Sequence, residues 1–238
     1  EYDGGGFVGW QRQDNGPSVQ AALEAAVHAM TGETVGSVAA GRTDSGVHAT
    51  GQVAHLDLAR PLSPHRLRDG LNHFLRREGI AVLSAEAAAP DFHARFDATG
   101  RAYLYRIANR RPPLTLDAGR AWWVPVPLDD TAMAAAAAHL LGRHDFTSFR
   151  ASQCQADSPV KTLDRLEVAR ADTEIRIVAE ARSFLHHQVR NIVGTLKLVG
   201  AGTWMPADVA AALAACDRRA AGPTAPPDGL YLTGVWYD

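Results

Sequence analysis

The apolar residues of this chain switch repeatedly between a helical and a strand period, and that switching confines the fold to helices laid on sheets. Val19, Leu23, Ala26, Val27 and Met30 recur at helical spacing after Ser18 and stop at Gly32, a residue suited to a left-handed C-cap. An extended run over residues 35–40 and an alternating one over 52–58 predict strands on either side of a polar loop. In the second run Ala54, Leu56 and Leu58 alternate with Val53, His55 and Asp57. Ser63 followed by Pro64 marks a helix start, and Leu67, Leu71, Phe74 and Leu75 give that helix one apolar face. Residues 80–88 are then expected to form a strand.

The second half repeats the theme with more antiparallel content. Residues 102–108 and 120–125 predict strands separated by a proline-bearing turn at 110–115. Residues 128–141 predict a helix ended by Gly142, its alanine run reflecting propensity and not chemistry. Residues 163–170 and 174–181 straddle Ala171-Asp172 as a hairpin. Leu185, Val189, Ile192, Val193, Leu196 and Val199 mark a strongly periodic helix, followed by a shorter one from Pro206, a loop over 222–229 and a closing strand over 230–237. The expectation is an α+β fold of two similar helix-backed halves with mixed or antiparallel sheets, residues 1–98 and 99–238.

Composition removes other classes. Hydrophobic residues at 46% and charged ones at 21% are globular proportions, against disorder or coiled coil. No apolar run approaches the ~18 residues needed to span a bilayer, so no membrane partner is expected. Cys154 and Cys216 lack a CxxC partner, which argues for a reducing, cytoplasmic setting and against a thiolate metal site. The chain opens at Glu1 without a methionine, within what reads as the end of a strand, so residues upstream are expected.

A net charge of -2 hides an uneven distribution of cations, and distribution matters more than the total for nucleic-acid binding. Lys161 and Lys197 are the only lysines among 24 basic residues, leaving 22 arginines. Residues 60–77 hold five arginines against Asp69, about +4; residues 91–120 hold six against Asp91, Asp97 and Asp117, a net +3. Arginine forks match phosphate and stack on bases. Arg66, Arg68, Arg95, Arg101, Arg110 and Arg111 are therefore candidates for RNA-backbone binding, with ordinary solvated cations as the competing reading.

The strongest chemical signal is the polar loop Gly41-Arg42-Thr43-Asp44-Ser45-Gly46-Val47-His48-Ala49. Two glycines bracket one carboxylate, permitting close approach of a ligand, and Arg42 is placed either to keep Asp44 ionised or to bind a phosphate. The competing reading is an Asx turn, with Asp44 bonding its own backbone amides. Gly4-Gly5-Gly6 lacks the Gly-Lys-Ser/Thr of a phosphate loop and predicts a tight turn. The pairs His48/His55 and His186/His187 have no metal-ligand spacing, and neighbours on a helix diverge by about 100°, so no metal is expected.

In this setting residues 41–49 resemble the catalytic loop of the tRNA pseudouridine synthase A family. Further segments match that family in order: Tyr2-Asp3-Gly4 with Phe7-Val8-Gly9-Trp10-Gln11, Phe92-His93-Ala94-Arg95, Arg101-Ala102-Tyr103-Leu104-Tyr105 and Gly142-Arg143-His144-Asp145-Phe146. Phe184-Leu185-His186-His187-Gln188-Val189-Arg190-Asn191-Ile192-Val193-Gly194 and Ala225-Pro226-Pro227-Asp228-Gly229-Leu230 complete the series. The resemblance implies the pseudouridine synthase fold, with an active-site cleft between the halves. It implies a cytoplasmic homodimer that isomerises uridines at positions 38 to 40 of the tRNA anticodon stem and loop without a cofactor.

Carried over residue by residue, the resemblance makes Asp44 the catalytic aspartate, Arg42 its neighbouring arginine, Tyr103 the tyrosine that stacks on the target base and Arg190 the basic partner of the aspartate. The carboxylate's chemistry stays open among attack on the anomeric carbon, addition to carbon 6 of uracil and removal of the 2'-proton. Alternation puts Tyr103 and Tyr105 on one sheet face, so one can stack a base while the other packs. Arg190 as a surface cation on its helix, a non-catalytic RNA-binding module and an aspartate-dependent glycosidase are the competing readings.

Overall fold

The computed structural model of the protein describes residues Glu1–Asp238, and the chain divides into two compact units. The first comprises Glu1–Thr99 with Leu232–Asp238, the second Gly100–Tyr231. The sequence reading put the closing strand wholly with the second half. From Leu232 onward its partners lie in the first: Thr50 N and Gly51 N donate to Leu232 O at 2.9 and 3.1 Å, and Thr99 N to Trp236 O at 2.8 Å.

In the first unit, helix α1 (Val19–Thr31) starts on Ser18, whose side chain accepts from Ala21 N, and stops at Gly32 in the left-handed region at φ 76°. It buries Val19, Leu23, Ala26 and Val27. Strand β1 (Ser37–Ala39) pairs antiparallel with β3 (Ala54–Leu56), and the short β2 (His48–Ala49) lies beside the closing strand β9 (Leu230–Trp236). Helix α2 (Pro64–Leu75) packs on α1 with Pro64 in its first turn, although the extended Ser63 makes no side-chain cap. The strand expected over residues 80–88 does not form. Ile80 bridges to Tyr2 and Ala81 exchanges backbone bonds with Glu1 at 2.8 and 2.9 Å, but beyond them Asn72 takes the backbone of Val82 in both directions, at 2.8 and 2.9 Å.

The second unit is built on an antiparallel series: β4 (Gly100–Ala108), then β8 (Glu174–Ala181), β7 (Val160–Ala171) and β6 (Gly142–Asp145), with β5 (Trp122–Trp123) parallel to β4. The sheet is thus mixed. The β7–β8 hairpin turns at Asp172 with φ 54°, a position a short acidic side chain tolerates. β5 is shorter than the run expected at 120–125, because Pro125 and Pro127 cannot donate to a ladder. Helices α3 (Asp130–Ala138), α4 (Gln188–Gly200) and α5 (Pro206–Ala214) pack together, and α3 also covers β7. α4 begins three residues later than its apolar period, since Gln188 Oε1 accepts from Leu185 N at 2.8 Å and His187 is left-handed at φ 62°.

α4 is buried along nearly its whole length, polar residues included. Fully buried Asn191 is bonded at both ends of its amide: its Nδ2 donates to Phe149 O at 2.8 Å, and its Oδ1 accepts from Thr224 Oγ1 at 2.6 Å and Arg218 Nη2 at 3.1 Å. Gly222 N adds a bond to Thr195 Oγ1 at 3.0 Å. These bonds press residues 222–225 against the helix so closely that a Cβ on Gly194 would collide with the Pro223 carbonyl. Gly194→Ala should therefore lower unfolding stability by about 1–3 kcal/mol or more in urea titrations, with the m-value unchanged.

Candidate active site

The Asp44 loop joins β1 to β2 and is cradled by the residues before α1. Trp10 N donates to Thr43 O at 3.0 Å, Gly46 N to Phe7 O at 3.3 Å and Ser45 Oγ to Phe7 O at 3.3 Å. Val47 N closes the turn on the Asp44 backbone carbonyl at 3.1 Å, and Gly46 supplies the positive φ of 79°. The amides that an Asx turn would use are thus committed to main-chain carbonyls. Asp44 itself is half-buried and Arg42 exposed. Gly9, at φ 111°, lies so near the loop that a Cβ would meet Thr43 O at 2.6 Å, and a Cβ on Gly4 would collide with Val47 O.

Side chains tie the loop at both ends. The buried Tyr2 hydroxyl and Thr43 Oγ1 are 2.7 Å apart, while Gln52 Nε2 donates to Gly41 O at 2.7 Å and to the Tyr2 hydroxyl at 3.3 Å. His48 Nδ1 accepts from Gly4 N at 3.0 Å, so this nitrogen presents its lone pair. Asp3 Oδ1, which accepts from Gly5 N, lies 3.2 Å from the same nitrogen. Sequence reading missed the roles of Tyr2, Gly9, Thr43, His48 and Gln52 as supports. The segments holding Tyr2 and Gly9 were visible as matches, but nothing local states what they brace.

In the second unit, the two tyrosines of β4 share a sheet face, as alternation requires, and differ in burial. Tyr105 is fully buried and donates to Pro226 O at 2.8 Å, while Tyr103 is half-buried with its ring edge-on to Phe184 at 5.1 Å and 87°. Burial raises the Tyr105 pKa, only partly opposed by the positive charge of Arg190. Arg190 sits in the first turn of α4, half-buried, with Nε donating to Ala225 O at 2.8 Å and its carbonyl accepting from Ala225 N at 3.0 Å. It is fixed at the helix start and is not a loose surface cation. His186 and His187 precede the helix, and the left-handed His187 brings their rings to 4.0 Å. The helical divergence expected of this pair therefore does not apply.

The candidate RNA arginines fare differently. Arg66 and Arg111 are exposed, and Arg68 forms a surface pair with Asp69 at 2.8 Å that favours the charged form of each. Arg95 is exposed, with its guanidinium 5.7 Å from the Phe96 ring centre. Arg101, expected to bind RNA, is 8% exposed and donates Nη1 to Arg182 O at 2.6 Å; its fork is turned into the protein. Arg110 is half-buried, with Nη2 on Pro113 O at 3.2 Å and Nε buried without a partner. Part of the +3 segment is also neutralised from outside it, because Arg106 forks onto Glu174 at 2.7 and 3.3 Å, holding that carboxyl below its usual range.

A family model described as tRNA pseudouridine synthase matches residues 1–97 and 136–238. The chain belongs to the tRNA pseudouridine synthase family. It is 64% identical over 237 residues to a protein of Paramagnetospirillum magneticum named tRNA pseudouridine synthase A, with 100% of this chain and 93% of the relative covered. A relative of the same name from Rhodospirillum centenum is 63% identical, covering 100% and 97%, and one from Rhizobium leguminosarum bv. trifolii is 61% identical, covering 100% and 89%. Asp44 and Arg190 fall inside the stretches matched by the family model. Tyr103 falls between them, in a stretch that the relatives span.

The buried Tyr2 hydroxyl gives the loop support a pH signature. Burial pushes its pKa up to about 12, the bonds to Thr43 and Gln52 opposing in part. A raised folded value means that this stabilisation is whole below the unfolded value near ~10 and fades as the pH rises through about 12. Melting temperatures from pH 9 to 12 should fall more steeply for the native protein than for Tyr2→Phe.

Proposed function

We propose that the protein converts uridine to pseudouridine in the anticodon stem and loop of tRNA, at positions 38 to 40, with Asp44 as the reacting carboxylate. The observation that carries this reading is identity of 64% along the whole chain to a relative named tRNA pseudouridine synthase A, with the half-buried Asp44 standing on a loop held by main-chain bonds. The reaction is an isomerisation. The N-glycosidic bond breaks, uracil turns, carbon 5 bonds to the sugar, carbon 5 loses its proton and N1 takes one up, so nothing is oxidised and no water is consumed. One carboxylate suffices for it, whether it attacks the anomeric carbon, adds to carbon 6 or takes the 2'-proton.

In this reading Tyr103 stacks on the flipped base, Arg190 holds the charge of Asp44 and Arg42 grips the phosphate beside the target. Flipping a base from a stem costs a few kcal/mol, and an aromatic face returns about 1–3 kcal/mol of it. What supports Tyr103 over Tyr105 for this work is exposure, since the Tyr105 ring is wholly enclosed. We further propose a cytoplasmic homodimer whose exposed Arg66, Arg95 and Arg111, with the surface-paired Arg68, meet the tRNA backbone. No helix of the protein is long and apolar enough to cross a membrane.

Release of tritium from carbon 5 of labelled uridine in tRNA tests the reading. An isomerase releases it, an RNA-binding module does not, and a glycosidase frees uracil. Asp44→Asn should abolish release while tRNA affinity stays within a few-fold, because the carboxylate serves the chemical step and the arginines serve binding. Equal loss of binding and turnover would mark Asp44 as a structural loop residue. Tyr103→Phe should keep much of the activity, since a stacking role needs the ring and not the hydroxyl.

A further inference from the structure

Phe96 is 70% exposed, an unusual position for a residue of its size in a tightly bonded turn. The turn does not depend on its burial. Phe96 N and Asp97 N donate to His93 O at 3.1 and 3.0 Å, Asp97 Oδ2 accepts from His93 N at 2.6 Å, and His93 Nδ1 accepts from Arg95 N and Phe96 N, both at 3.2 Å. Those bonds fix the backbone and orient the imidazole. They leave the Phe96 ring largely in water, with the His93 ring stacked against it at 4.2 Å and 26°.

His93 in turn is backed by the body of the unit. His55 meets it edge-on at 4.9 Å and accepts from Ala94 N through Nδ1 at 3.0 Å. Phe92 lies edge-on to His55 at 6.2 Å and meets Tyr237 at 5.1 Å, whose hydroxyl donates to Ala94 O at 2.8 Å. The result is a column of rings anchored at its inner end and ending at Phe96 on the outside, with the exposed Arg95 guanidinium 5.7 Å from that last ring. A rigid exposed π-face beside a guanidinium is the chemistry that holds an unpaired base and its phosphate. The Asp97 carboxylate beside it is spent on the His93 backbone amide.

We propose that Phe96, backed by His93 and flanked by Arg95, is a stacking platform for an unpaired base of the RNA substrate, apart from the base that reacts. The proposal rests on the tRNA reading above. Stacking on such a face is worth about 1–3 kcal/mol, and it carries no charge, so it is separable from the phosphate contribution by salt dependence.

The test measures tRNA affinity of the full chain over a range of salt, together with tritium release and oligomeric state. Phe96→Ala should weaken binding by roughly 5- to 150-fold with an unchanged slope of log K on log salt, and Phe96→Trp should restore it. Arg95→Gln should flatten the slope by about 0.7–0.9. Wild-type affinity in Phe96→Ala, with tritium release intact, would overturn the platform while leaving the tRNA reading in place. A changed salt slope in Phe96→Ala would overturn it as well, and so would loss of a dimer, which would assign the ring to a subunit interface. Native protein that neither binds tRNA nor releases tritium would sink both readings.

Discussion

Residues 7–10 and 43–46 approach backbone to backbone, and the placing of Asp44 depends on that approach. Side chains do not intervene, since Gly9 and Gly4 leave no Cβ to hold the strands of chain apart. The carbonyls of Phe7 and Thr43 and the amides of Trp10 and Gly46 then satisfy one another across the gap. A loop bound this way pays its ordering cost at folding and not at each encounter with substrate. Tyr2, Thr43 and Gln52 add a buried polar knot under the loop, where an unmade bond would cost more than a made one contributes.

The second unit reaches rigidity by another route. Its central helix α4 carries polar residues into the core, and each is satisfied by a named partner, with Asn191 as the hub. The same bonds that satisfy Asn191 and Thr195 draw residues 222–225 onto the helix, and Ala225 then fixes both the backbone and the side chain of Arg190. The position of that guanidinium is therefore a consequence of the core packing of its neighbours, Asn191 on the helix and Thr224 beside Ala225.

Counting charges along the sequence treats every arginine as equivalent, and the structure separates them. Arg101 and Arg106 spend their forks on protein partners, whereas Arg66, Arg95 and Arg111 keep exposed side chains. Surface pairs such as Arg68–Asp69 contribute little to stability and leave the arginine within reach of a competing anion. The distinction between structural and available cations is what turns a basic segment into a binding surface or removes it from one.

Helix α1 with its glycine cap, the β7–β8 hairpin and the apolar face of α4 were legible in the sequence because each rests on short-range periodicity and local backbone preference. The family was legible too, through an ordered series of segments. What sequence could not decide was anything set by pairing at a distance. In the run 80–88 strand-like pairing stops after Ala81, where Asn72 takes the backbone bonds of Val82. Arg101 faces inward because a carbonyl eighty-one positions away accepts from it, and the closing strand joins the first unit because Leu232 meets Thr50 and Gly51. Local physics fixes which elements form; which polar groups meet, and so which side chains remain available for chemistry, is settled only when remote segments compete for the same donors and acceptors.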